Sequence, residues 1–174
     1  MGVTLRPLAV RDAPELLRMF IDNRAFFAPW DPVREEDYFT LSKQESVIRA
    51  EISARDQGQK MPFVITLDGT GEIIGTININ DIVRGVFQSA NLGYEIAEKH
   101  NGRGYATAAV GLATAHAFKA LGLHRVQAGT LLHNVRSQRV LEKNGFRREG
   151  VALRYLRIAG EWQDHIIFAK TIEE

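Results

Sequence analysis

The chain has 174 residues, of which 45% are hydrophobic and 25% charged, and its 22 basic and 21 acidic side chains leave a formal net charge of +1. This length suffices for one core but not for two large domains, and the balanced charge argues against nucleic-acid binding. The absence of cysteine excludes disulfides, thiol nucleophiles and thiolate metal ligands, and the five histidines lack metal-ligand spacing. We therefore expect a single domain over residues 1–174, without a metal or a nucleic-acid partner.

The N-terminal segment MGVTLRPLAV contains neither the apolar stretch of a signal peptide nor the hydroxyl residue that myristoylation of Gly2 requires. The sequence has no run of 18 apolar residues that would cross a membrane. We therefore expect a cytoplasmic protein that does not associate with membranes.

The first third of the chain predicts one strand and two helices. Residues 3–10 alternate between apolar and polar side chains, as in an edge strand. Asp12, Pro14 and Glu15 are typical of a helix start with a capping box, and the prolines of FFAPWDPV end that helix. A second helix begins near Leu41 and closes at Gly58. An aromatic-rich corner is expected between the two.

From residue 62 onward the pattern changes to alternating strands. PFVITL and EIIGTININDI predict a hairpin about Asp68-Gly69, and SANLGYEIA predicts a strand in which Tyr94 and Glu95 take opposite faces. A narrow apolar stripe after two glycines indicates a helix that Gly122 ends. The remaining segments are a strand (HRVQAGTL), a helix (NVRSQRVLEKN) and a final hairpin over residues 146–171 about Ala159-Gly160.

The resulting element order is β-α-α-β-β-β-α-β-α-β-β. It predicts an α/β fold, with helices on both faces of a mixed sheet. The strand, helix and strand around Gly104 are expected to form a parallel, right-handed unit.

The turn NGRGYA, residues 101–106, is the strongest local signal of a binding site. A glycine turn at a helix start presents unpaired N–H groups to an anion, although a tight turn that needs positive φ explains the same glycines. A P-loop is excluded because no lysine follows, and a dinucleotide site because Thr107 replaces the third glycine. The acetyl-CoA signature of the GNAT superfamily fits at Gly104 and Ala106, and departs only at Asn101, where that signature has glutamine or arginine.

Longer segments extend this resemblance over essentially the whole chain. NRAFFAPWDPVR, VRGVF with LGYEI, HNVRSQRVLEKNGFRREG and YLRIAGEWQDH resemble the RimJ branch of the RimJ/RimL-type N-terminal protein acetyltransferases. The resemblance implies the GNAT acyl-CoA N-acyltransferase fold, which has three α/β/α layers and central strands that splay apart. It implies acetyl-CoA as the cofactor.

The resemblance also implies which residues bind this cofactor. Its diphosphate is expected on the turn of Asn101, Gly102, Arg103, Gly104, Tyr105, Ala106 and Thr107, and its pantetheine arm along Glu95, Ile96 and Ala97. Asn134 is expected to border this arm, and Ser137 to protonate the leaving thiolate. A plain helix cap and a solvated serine are the structural alternatives for these two residues.

The amine that accepts the acetyl group must lose a proton before it attacks. Glu95 is the best-placed carboxylate to hold a water for this step, unless it is simply a solvated strand charge. Phe27 and Trp30 are predicted to wall the acceptor site, with Tyr155 opposite, unless they only fill a hydrophobic corner. Asn78 and Tyr94 are predicted as further substrate contacts.

We therefore expect direct acetyl transfer to the N-terminal α-amine of a protein, with a ribosomal-protein alanine as the candidate acceptor. Two alternatives stay open: an enzyme that acetylates a small amine or a peptide antibiotic, and a CoA-binding regulatory module without turnover. The expected state is a monomer or a homodimer.

Overall fold

A computed structural model of the protein describes residues 2–172, which form one seven-stranded sheet in the order β1-β2-β3-β4-β5-β7-β6. The strands are β1 Val3–Pro7, β2 Met61–Leu67, β3 Ile73–Val83, β4 Ser89–Ile96, β5 Arg125–Leu131, β6 Arg147–Ile158 and β7 Glu161–Thr171. Neighbouring strands are antiparallel except β4 and β5, which are parallel. The predicted mixed sheet is confirmed.

Within the described residues, five α-helices cover the two faces of this sheet. They are α1 Ala13–Asp22, α2 Arg24–Phe27, α3 Leu41–Asp56, α4 Tyr105–Lys119 and α5 Val135–Lys143. Residues of α4 and α5 share one hydrophobic core with the sheet, and residues of α1, α2 and α3 share a second core on the other face. We call these two sides the α4–α5 face and the α1–α3 face. None of the helices in residues 2–172 is long and apolar enough to span a membrane.

The sheet opens in its centre between β4 and β5. These strands pair only through Ser89 with Arg125, Ala90 with Val126 and Asn91 with Gln127. Beyond these pairs β4 continues to Ile96 and β5 to Leu131, so the two strands diverge over the rest of their length. The expected splay of the central strands is confirmed, and it leaves a gap that connects the two faces.

The first helix differs from its prediction at both ends. The Asp12 carboxylate does not cap it, because that group binds the Arg6 guanidinium (3.0 and 2.7 Å) and the Ala9 N–H (2.9 Å). Glu15 does not complete a capping box either, since its Oε1 accepts the Ile73 N–H (2.7 Å). The helix is interrupted at Asn23, whose Nδ2 donates to Met19 O (2.8 Å). The first strand is also shorter than predicted: it ends at Pro7 instead of residue 10.

Candidate active site

A cleft of about 690 Å³ occupies the gap between β4 and β5. Its walls come from α2 and the segment after it, the diverging ends of β4 and β5, the first turns of α5, and the hairpin of β6 and β7. The cleft is therefore open to groups from both faces of the sheet.

Two consecutive residues of β4 bring polar groups to opposite sides of this cleft. The Tyr94 hydroxyl lies 2.7 Å from Ser137 Oγ on the α4–α5 face. The Glu95 carboxylate lies on the α1–α3 face, where its Oε1 accepts the Thr76 hydroxyl (3.0 Å). Successive side chains of a strand alternate between its faces, so the strand itself imposes this separation.

The glycine turn lies where α4 begins. Gly102 and Gly104 have φ of +75° and +82°, and a Cβ on either would have no neighbour within 4 Å. Ala108 is the first residue of α4 whose N–H bonds back, to Gly104 O (3.0 Å), and in residues 2–172 the N–H groups of Arg103–Thr107 have no partner. This backbone suits an anion, because unpaired amides at a helix start attract negative charge.

The Asn101 side chain helps to build this turn. Its Nδ2 donates to Ile96 O and to Ala97 O, both at 3.1 Å, and so ties the turn to the end of β4. This interaction uses the amide hydrogens of Asn101 within the chain. The asparagine that stands here in place of glutamine or arginine therefore has a structural role.

The start of α5 positions the hydroxyl group of Ser137. Asn134 Oδ1 accepts the Ser137 N–H (3.2 Å), which is the predicted helix cap, and both residues line the cleft. Burial raises the pKa of Tyr94 to about 12, and its bond to Ser137 opposes this rise. Tyr94 therefore stays protonated at neutral pH, and the Tyr94–Ser137 pair keeps a proton available on the α4–α5 face.

The opposite side of the cleft carries two carboxylates. Burial raises the pKa of Glu95 to about 7, and repulsion from Asp31 adds to the rise, whereas the Thr76 bond and Arg34 oppose it. Burial also raises the pKa of Asp31, and Arg34 opposes this shift from 3.6 Å away. Glu95 can therefore exchange a proton near neutral pH.

Aromatic side chains wall the cleft beside these carboxylates. Phe27 is buried, and the Trp30 ring lies over the His133 ring with 5.4 Å between centroids. Asp31 O accepts the Ala159 N–H (2.9 Å), which joins the segment after α2 to the turn between β6 and β7. The predicted aromatic corner is therefore part of the cleft wall.

The structure brings together many of the predicted site residues. Those that line the cleft are Phe27, Trp30, Tyr94, Glu95, Ile96, Asn101, Ala106, Asn134 and Ser137. Residues 102–105 of the glycine turn lie between Asn101 and Ala106, at the edge of the cleft.

Two predicted substrate contacts lie outside the cleft lining. Tyr155 does not line the cleft. Its ring packs edge-on against His165, which does, with 5.5 Å between the ring centroids, and lies next to Gly129. Asn78 shares the face of Glu95 but lies opposite Gly93, two residues along β3 from Thr76. Their roles in binding stay predictions.

Sequence reasoning missed Asp31, His133 and His165, which also line the cleft. Asp31 follows α2, far in sequence from β4, and His133 follows β5, and no local pattern connects either residue to the cleft. His165 is 3% exposed, and its Nδ1 donates to Gln163 O (2.9 Å). Only its register on β7, opposite Leu131, brings it to the cleft.

A splayed mixed sheet with an anion-binding helix start at the gap is the architecture of GNAT acetyltransferases. The sequence profile of the acetyltransferase (GNAT) domain matches residues 3–147, and the chain belongs to this family. It is an acetyl-CoA-dependent N-acetyltransferase. The residues present fit the cofactor, because the open glycine turn offers free amides to a diphosphate and the cleft leads from it to the gap.

Known proteins similar to this chain include two bacterial enzymes and one solved structure. The probable N-acetyltransferase YjcK of Bacillus subtilis is 38% identical over 96% of this chain and 92% of its own. The [ribosomal protein uS5]-alanine N-acetyltransferase of Escherichia coli is 35% identical over 92% and 83%. The Mycobacterium smegmatis RimJ structure in complex with CoA-disulfide has a TM-score of 0.94 and 36% identity, and covers 99% and 83%. The resemblance to RimJ is confirmed.

Proposed function

We propose that this enzyme transfers an acetyl group directly to the N-terminal α-amine of a protein, with a ribosomal-protein alanine as the first candidate. The observation that carries this proposal is the placement of Glu95 and the Tyr94–Ser137 pair on opposite sides of one gap. A proton acceptor faces one side, and a proton donor faces the other.

The cofactor would be held mainly by backbone groups. The N–H groups of Arg103–Thr107 would bind its diphosphate, and its pantetheine arm would lie along Glu95–Ala97, beyond the last residue pair between β4 and β5. Asn134 and Ser137 would border the arm from α5. When bound, acetyl-CoA supplies a thioester, which is an activated acetyl group.

Glu95 is matched to an α-amine. An α-ammonium has a pKa of about 7.7–8.0, against about 10.4 for a lysine side chain. Proton transfer from an α-ammonium to a carboxylate with a pKa of about 7 is unfavourable by roughly one pKa unit. Proton transfer from a lysine side chain is unfavourable by about two further pKa units or more. This difference favours a protein N-terminus over a lysine, whether Glu95 acts directly or through a water.

Ser137 is the proposed general acid. Its hydroxyl lies on the α4–α5 face, fixed by the α5 cap and by Tyr94, so it can give a proton to a departing thiolate. Tyr94 would then act behind Ser137 and would not contact the acceptor, which changes its predicted role.

Two observations support a protein acceptor. The relative from Escherichia coli is named for a ribosomal-protein alanine, and a second cavity of about 310 Å³ shares Phe27 and Asp31 with the cleft wall, which offers room for residues beyond the first. The proposal treats residues 1–174 as one domain that works in the cytoplasm, as a monomer or a homodimer.

The test is thiol release from acetyl-CoA in the presence of different amines. A peptide with a free N-terminal alanine should react fastest, and the same peptide with a blocked N-terminus and an internal lysine should react slowly. Turnover with small amines alone would replace the proposal by the small-amine alternative. Tight acetyl-CoA binding without turnover on any amine would favour the regulatory module.

A further inference from the structure

We propose that Asp31 is a specificity-determining residue of the acceptor site, which holds the incoming ammonium group beside Glu95 while Arg34 serves as its counter-ion before the acceptor binds. This inference rests on the proposed function, since it requires that the amine approaches from the α1–α3 face.

The position of Asp31 is fixed by the backbone. Its N–H donates to Phe27 O (3.1 Å), and its carbonyl accepts the Ala159 N–H (2.9 Å). Its side chain is only 25% exposed and borders both the main cleft and the second cavity. Any acceptor that extends from one cavity into the other must pass this carboxylate.

Arg34 neutralises Asp31 only loosely. The two groups are 3.6 Å apart, beyond an ordinary hydrogen bond, and the guanidinium also stacks over the Tyr38 ring at 4.6 Å. An ammonium group that donates hydrogen bonds to Asp31 gains a shorter, charge-assisted contact. The acceptor can therefore replace Arg34 without leaving the carboxylate unpaired.

The proton step is balanced within the cleft. An N–H bond of the ammonium breaks and an O–H bond forms on Glu95, so the amine becomes neutral and Glu95 becomes a carboxylic acid. In this step Asp31 neither gives nor takes a proton. Loss of Asp31 should therefore weaken binding of the protonated amine and change the pH at which Glu95 accepts the proton.

The groups that face Glu95 set the sign of that change. Asp31 and Arg34 lie after α2, Tyr38 lies in the short helical turn of residues 36–39, and Thr76 lies on β3. His133 and His165 line the same cleft. Asp31 disfavours the carboxylate form of Glu95, whereas Arg34 favours it. Removal of Asp31 should therefore lower the pH at which activity is lost on acidification, and removal of Arg34 should raise it.

The experiment compares Asp31→Asn, Arg34→Gln and the control Asp37→Asn by the pH profile of kcat/KM for an alanyl peptide. Asp37 is an exposed acid that pairs with Lys43 (3.1 Å) and does not line the cleft. We expect Asp31→Asn to raise KM roughly tenfold and to lower the midpoint of the acidic limb by about half a unit. Arg34→Gln should raise this midpoint, and Asp37→Asn should leave it unchanged.

The opposite shifts separate this role from a merely structural one, because a loosened turn would not move the midpoint in two directions. Equal pH profiles for Asp31→Asn and Asp37→Asn, or shifts of the same sign for Asp31→Asn and Arg34→Gln, would overturn the inference about Asp31. The proposed function would still stand if the wild-type enzyme acetylates the peptide. A wild-type enzyme without turnover on any amine would overturn both the inference and the proposed function. If Asp31→Asn does not fold, a profile for Arg34→Gln that equals that of the wild type counts against the inference.

Discussion

The two sides of the central gap carry different kinds of polar group, and each kind suits a different task in the reaction. On the α4–α5 face the groups at the reaction site are uncharged: backbone amides of one turn, a helix cap, and two hydroxyls 2.7 Å apart, while Arg136 of α5 lines the cleft nearby. On the α1–α3 face the carboxylates of Glu95 and Asp31 line the cleft, and the Arg34 guanidinium lies beside Asp31 in the wall of the second cavity. The diphosphate of the cofactor takes no part in the reaction and can be held by backbone geometry, whereas an amine that must lose a proton needs side chains with adjusted pKa values.

The replacement of Glu95 by glutamine should have the largest effect. A general base typically contributes about 10²–10⁴-fold, so we expect kcat/KM to fall by about 10²–10³-fold while acetyl-CoA affinity stays unchanged. Wild-type activity should fall as the pH drops through about 7, because protonation of Glu95 removes the base, and Glu95→Gln should lose this limb. Peptide turnover against pH measures both.

The control for this variant is Glu98→Gln, which changes an exposed carboxylate three residues away. It should behave as the wild type. Comparable losses in both variants would mean that Glu95 contributes only to the general charge of the region.

Replacement of Ser137 by alanine tests the other side, with an expected fall in kcat of about 10–100-fold and little change in cofactor affinity. Tyr94→Phe, which removes the neighbouring hydroxyl, should cost less, since the proposal has Tyr94 act through Ser137. Single-turnover rates with saturating acetyl-CoA measure the step itself. A larger loss of kcat in Tyr94→Phe than in Ser137→Ala would mean that Tyr94, and not Ser137, is the general acid.

Substitution of Gly104 by valine should weaken acetyl-CoA binding about tenfold or more. The side chain would enter the open space in front of the free amides and would also strain a backbone with φ of +82°. Gly58→Val carries a similar strain (φ of +71°, no neighbour within 4 Å) outside the cleft, so it should lower stability without altering affinity. Calorimetric titration of both variants separates blocked approach from strain.

The smallest effect is expected for Asn134→Ala. Loss of the helix cap should cost about 1 kcal/mol of unfolding free energy and loosen the position of Ser137. Asn134→Ser, which keeps a cap, should restore most of the stability. A normal unfolding free energy in Asn134→Ala would show that the cap is dispensable.

The sequence predicted most of the fold because its signals are local. Glycines with positive φ mark the turns at Gly69, Gly104 and Gly160, and alternation places Tyr94 and Glu95 on opposite faces. The errors fall where another group competes for the capping carboxylate: the nearby Arg6 binds Asp12, and the backbone of Ile73, far along the chain, binds Glu15. A capping pattern does not reveal such competing partners.

The same distinction separates the two halves of the site. The glycine turn, Asn134 and Ser137 are close in sequence to the elements that position them, so their motifs point to the cofactor. Asp31 and His165 reach the cleft only because β6 and β7 fold back beside β5 and meet the segment after α2. Their contribution depends on tertiary contacts that no single segment encodes.

The three residue pairs between β4 and β5 have a mechanical consequence. The sheet consists of two plates: one holds strands β1 to β4, and the other holds strands β5, β7 and β6. Within the sheet of residues 2–172, only the three pairs between β4 and β5, which form a short seam, join the two plates. A ligand in the cleft that contacts both β4 and β5 would join the two plates, so its binding energy adds to the stability of the whole molecule against thermal unfolding. Saturation with coenzyme A should therefore raise the melting temperature, and native-state hydrogen exchange in the rows flanking the seam should slow most.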